Sequence, residues 1–234
     1  MLQQESTHPF AVAQSGGSAK ANFIRKTYIH LAGAVLAFIG IEIALFRTPL
    51  ASQIAALVFN NGSIGWLGFL GVFMVAGWIA RSMAASGSKA TQYFGLSFYV
   101  LAEALIFVPL LYLAVNFSSS EVLTNAVIMT LTLFAGLTAT VFITRTDFSF
   151  LKTALTVGGF VAIGAIACGA LFGFNLGMWF SVAMVAFACA AILYDTSNIL
   201  HRYQKDHYVG ASLQLFASVT LLFWYILRLF MSRD

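Results

Sequence analysis

The segment Tyr93–Val115 reads YFGLSFYVLAEALIFVPLLYLAV, and its single charged residue is Glu103. At ~1.5 Å of rise per residue, a helix of this length crosses the ~30 Å hydrocarbon core of a bilayer. Glu103 falls near its middle, about mid-bilayer. An acid there costs at least ~2.5 kcal/mol on insertion scales, so it is kept for a role or a partner.

Six more stretches have the same character: Tyr28–Phe46, Ile64–Ala80, Val122–Thr144, Leu151–Phe174, Gly177–Ile199 and Val209–Phe230. The chain is 60% hydrophobic and 9% charged, with mean hydropathy +0.89; an ordinary soluble domain carries ~25% charge. The expectation is an all-α integral membrane protein, a seven-helix transmembrane bundle over residues 28–230. A polar, Gly- and Ser-rich tail over residues 1–27 reads as cytoplasmic and disordered, and residues 231–234 form a short C-terminal tail. The run Ile54–Phe59 is too short to span and suits the interface. No apolar core precedes the first span, so no cleaved signal is expected.

With the N-terminus cytoplasmic, nine of the twelve basic residues fall on that side, leaving Arg47, Arg228 and Arg233 on the other. This positive-inside bias predicts N-in, C-out. It also accounts for the net charge of +4, so no nucleic-acid partner is implied. Loops are short, leaving no room for a soluble catalytic domain. Gly173–Gly177 makes spans five and six antiparallel neighbours. Small residues in span five, Gly158 with Ala162 and Ala165 with Gly169, read as the face of a central packing helix. Cys168 and Cys189 read as core packers.

Polar residues fall into stripes. Gln92, Tyr99 and Glu103 share one face of span three, while Ser181, Ala188, Ala191, Asp195 and Asn198 share one of span six. Gln214, Ser218 and Tyr225 share one of span seven. Arg81 ends span two on the cytoplasmic side, where an ion pair with Asp195 is feasible. Proton occupancy of Asp195 would then decide whether the pair holds. Each acid also has a plainer reading. Asp195 can cap loop structure with Thr196, Ser197 and Asn198, and Glu103 can hydrogen-bond a neighbouring helix. Glu42 can snorkel toward water near Arg47. His30, His201 and His207 read as interfacial rather than metal-binding. No His-Glu-x-x-His and no phosphate loop is present, and no cofactor is implied, so the expectation is not an enzyme.

The stretch Ala190–Leu200, AAILYDTSNIL, resembles the sixth-helix signature of the Bax inhibitor-1 family. Thr144–Leu151, TRTDFSFL, resembles that family's loop before its fifth helix. The Asp-Thr-Ser-Asn-Ile pattern and the closing Ser232-Arg233-Asp234 are similar to the bacterial branch that modulates the FtsH protease. The resemblance covers roughly residues 25–234. It implies a seven-helix bundle around a central helix, acting as a proton-regulated calcium leak. In several members an aspartate pair on the last two helices shares a proton, latched by a basic residue from helix two. By position Asp195 matches the first aspartate and Arg81 the latch, while Ser218 stands where those members have the second acid. A shared-proton dyad needs two carboxylates, so Asp195 is expected to titrate singly.

Two functions follow as expectations. One is a pH-sensitive calcium leak, with Asp195, Glu103, Arg81, Ser218, Gln214 and Asn198 as sensor and pathway. Asp195 and Glu103 would be transient oxygen contacts for the ion, and Gln92 would join the pathway. The other is a non-transporting modulator of a membrane-bound AAA protease, docking through the membrane domain or the N-terminal tail. A bacterial inner membrane suits both, with lipid, calcium and protons as partners.

Overall fold

Eight helices make up the computed structural model, which describes residues 17–173, 175–203 and 206–233. They are α1 (Gly17–Phe46), α2 (Leu50–Asn60), α3 (Gly62–Ala84), α4 (Lys89–Phe117), α5 (Ser120–Thr144), α6 (Leu151–Phe172), α7 (Gly177–His201) and α8 (Tyr208–Met231). All but α2 are long and apolar enough to cross a membrane. Among the described residues there is no strand, and the architecture is an all-α membrane bundle.

Helix α2 contains the expected short run. Its eleven residues reach only ~16 Å, and Ala51, Ala55 and Val58 are buried. The turn into α3 uses Gly62 at φ +55°, a left-handed conformation that glycine adopts without penalty.

The first helix corrects the expected tail boundary. Residues 17–27 are helical and belong to α1; the expected disorder of residues 1–16 lies outside the described residues, as do Phe174, Lys205 and Asp234. The physical reason is a buried stripe, Phe23, Thr27, Leu31, Ala34, Phe38 and Glu42, at spacings of three and four. It extends N-terminal to the expected start of the first span and packs as one face. Phe23 stacks on Tyr203 at 6.2 Å.

Helices α4 and α8 are the core. In each, 61% of the apolar heart of the span is buried, against 11–22% in the other spans. Helix α8 touches α1, α3, α4, α5 and α7. Around Phe107 of α4, Phe38, Phe223 and Trp224 pack with centroids 5.0–5.7 Å apart. The outer helices turn Leu, Ile, Val, Phe and Trp outward, as expected of surfaces facing lipid.

Helix α6 is a second correction. It is the least buried of the spans, not a central packing helix. Gly158 lets Phe187 of α7 approach, since a Cβ there would sit 3.0 Å from the ring. Cys168 likewise faces outward, and Cys189 is half-buried.

The cytoplasmic ends expected from charge converge at one end of the bundle. His30 of α1 bonds Tyr93 of α4 at 2.9 Å, and Tyr93 bonds Tyr208 of α8 at 3.2 Å. Lys89 pairs with Asp206 there.

Candidate functional site

Helix α8 carries one face, Gln214, Ala217, Leu221, Tyr225 and Arg228, that borders a cleft of about 1030 Å³. Ser218 and Thr220 lie at the two edges of this face, because two residues of a helix are separated by ~200°. Each edge hydroxyl meets a different acid. The Ser218 hydroxyl donates to Asp195 Oδ2 of α7 at 2.5 Å, and Thr220 Oγ1 donates to Glu103 Oε1 of α4 at 3.1 Å. All four side chains are buried, Asp195 at 2% and Glu103 at 5% exposure. The central helix thus holds one acid on each flank. A hydrogen-bond partner offsets part of the cost of burying each carboxyl.

The other cleft walls come from α3 and α6. Arg81, in the last turn of α3, lines the cleft together with both acids and Tyr99. The expected Arg81–Asp195 ion pair is not formed. The ion pairs among the described residues are Arg202–Asp147 at 3.5 Å and Lys89–Asp206 at 4.0 Å. Ser218 occupies Asp195 instead, so Arg81 acts on the acids through the cleft rather than by contact.

Gln214 lines the cleft, and Asn198 and Gln92 do not. Gln92 donates to Ser86 O at 2.7 Å, tying the start of α4 to the preceding loop. Asn198 is half-buried, its carbonyl oxygen without a hydrogen-bond partner among the described residues. Glu42 does not snorkel; it is 7% exposed, because it follows Phe38 by one turn on the buried stripe of α1. Among the described residues no group of three or more His, Cys, Asp or Glu converges to hold a metal ion. A resident calcium site takes six to eight oxygens, which two carboxyls by themselves do not supply.

Sequence reasoning missed the brace at the C-terminal end of α7. The buried Ser197 hydroxyl accepts from Phe148 N at 2.9 Å, which pins the α5–α6 loop. Asp147 accepts from Ser149 N at 2.9 Å and pairs with Arg202. The Ser149 N–H, seconded by Arg202, holds the Asp147 carboxyl below the usual carboxylate range. The chain enters this loop through Arg145 at φ 52°, a left-handed conformation unfavourable to a side chain. The Asx-turn pattern Asp147-x-Ser149 was the available signal. Tyr203 follows α7; burial, and secondarily the nearby Asp195, pushes its hydroxyl well up, so it remains a neutral phenol.

A family described as "Inhibitor of apoptosis-promoting Bax1" matches residues 20–234. The chain belongs to the Bax inhibitor-1 family. An uncharacterized protein of Pseudomonas aeruginosa is 32% identical over 97% of this chain and 96% of its own length. Bax inhibitor 1 of Schizosaccharomyces pombe is 29% identical, over 97% of this chain and 82% of that protein. Protein LIFEGUARD 3 of Arabidopsis thaliana is 27% identical, over 88% and 82%. No solved structure matches the chain. Within this Bax inhibitor-1 member, the family-like stretch Ala190–Leu200 carries both Asp195 and Ser197, the cleft acid and the loop anchor.

Proposed function

We propose that this Bax inhibitor-1 family protein is a cation leak, with calcium as the permeant ion and protonation of Asp195 as its control. The observation that carries the reading is the pair of buried acids, each held by a hydroxyl of the central helix on a cleft reaching toward both bundle ends. When Asp195 is ionised, the cleft presents an oxygen anion to a cation. When it is protonated, that attraction is gone and Arg81 dominates the local field. Ser218 in place of a second carboxylate makes this a single titration rather than a shared one. No covalent chemistry is assigned to the cleft. The protein sits in a bacterial cytoplasmic membrane, N-terminus inside and C-terminus outside.

The test is calcium entry into proteoliposomes from about pH 5 to about pH 8, where a perturbed carboxylate titrates. Wild type should conduct with a pH dependence that Asp195→Asn removes. Absence of flux at every pH rejects the leak. One observation favours the second reading, a non-transporting modulator of a membrane-bound AAA protease: Ser218 satisfies Asp195 so closely that the acid can serve as a fixed polar clasp between α7 and α8. On that reading the protein copurifies with the protease and alters its degradation rate while conducting nothing.

A further inference from the structure

The cleft continues well beyond the acids toward the outer end of the bundle, and that half has different chemistry. Its walls are two apolar rails at helical spacing, Leu67, Leu70 and Met74 on α3 and Ile163, Ile166 and Ala170 on α6. Both rails belong to weakly buried helices whose other faces turn outward. The stretch of cleft between the rails therefore faces the lipid side, and small residues such as Ala167 and Gly169 line it. At the outer mouth Trp66 and Trp224 stack at 6.0 Å, and Tyr225 and Asn175 border the same cleft. Trp and Tyr are the side chains of the headgroup level.

One charge lies at that mouth. Arg228 projects into the cleft eight residues beyond Thr220, ~12 Å along α8 from the Glu103 contact. Its guanidinium has no ion pair or hydrogen bond among the described residues, and the acids lining the cleft are the two deeper ones. An arginine fork matches a phosphate. We propose that the outer half of the cleft binds an anionic phospholipid from the bilayer, with one acyl chain between the α3 and α6 rails and its phosphate on Arg228. The lipid supplies the counter-charge that the protein does not, and a chain in this position covers the outer approach to the acids. The binding does not depend on the leak reading.

The test uses the full chain in micelles, with the outward-facing Trp78 and Trp179, 73% and 78% exposed, replaced by Phe. Trp66 and Trp224 then report alone. Brominated-chain phosphatidylglycerol is titrated against brominated phosphatidylcholine, with inorganic phosphate as competitor. Saturable quenching with a clear preference for the glycerol lipid is expected, and phosphate alone should not displace it. Arg228→Gln should remove the preference, and Arg228→Lys should keep most of it. Ala167→Phe, which fills the chain space and leaves charge unchanged, should weaken quenching by both lipids. Equal, non-saturating quenching by the two lipids in the parent protein overturns the proposal, as does preference surviving in Arg228→Gln or saturable quenching surviving in Ala167→Phe. The readout is fluorescence, so its failure leaves the flux result standing, and the reverse holds.

Discussion

Ser218 decides what Asp195 can be. A hydroxyl 2.5 Å away from the carboxylate is a donor with no titration of its own, so the site gains or loses one proton. Ser218→Ala leaves a buried acceptor without its donor, a loss of about 1–3 kcal/mol, and should lower the melting temperature in detergent. Ser212→Ala, on the same helix but bonded only to Val209 O, should cost less. Ser218→Asp should broaden the pH dependence of flux into two steps, since two carboxylates in contact split their titration. A single unbroadened step in that variant would show that Asp195 is not the titrating group. Asp195 and Ser218 were both legible from the sequence, one as an acid in an apolar run and the other by its place on a stripe. Thr220 was not, because it lies off the Gln214–Ser218–Tyr225 line, and only the flanking of α8 by both α4 and α7 gives it a partner.

At the scale of the element, two glycines set how closely α3 approaches the core. A Cβ at Gly95 would fall 2.9 Å from Ala80 O, and one at Gly210 would fall 2.9 Å from Ala84 O. Backbone cannot yield as a flexible side chain does, so Gly95→Val or Gly210→Val should destabilise by about 1–3 kcal/mol. Gly40, with nothing within 4 Å, should accept Ala with a gain of about 0.5–1 kcal/mol from helix propensity. Thermal melts of the three variants make the comparison. The α5–α6 loop gives a separate test. Ser197→Ala removes the acceptor for Phe148 N, and tryptic cleavage at Arg145 should accelerate while wild type resists. The Asp147 carboxyl is held below its ordinary value in the folded protein, so its contribution is complete above the unfolded value, ~3.9. That contribution is lost only as pH falls through the lower folded value. The Asp147 contribution to the brace therefore stays complete from about pH 5 upward. Sequence alone misplaced α6, because small residues four apart signal close approach without saying whether a helix or a cleft faces them.

For the whole molecule, hydropathy made seven spans legible, because it depends on the bilayer rather than on tertiary contacts. The depth of burial was not legible: Glu42 looks interfacial by position and is interior by its helical phase with Phe38. The orientation carries its own prediction. A reporter active only outside the cytoplasm should work when fused after Asp234 and fail when fused before Met1. The central claim is that Asp195 takes up and releases a proton within the bundle. Infrared difference spectra of the reconstituted protein, recorded across about pH 5 to about pH 8, test it directly through the carboxylic-acid band. A pH-dependent band that is absent in Asp195→Asn and present in Glu103→Gln is the result this account predicts; a band unchanged in Asp195→Asn would contradict it.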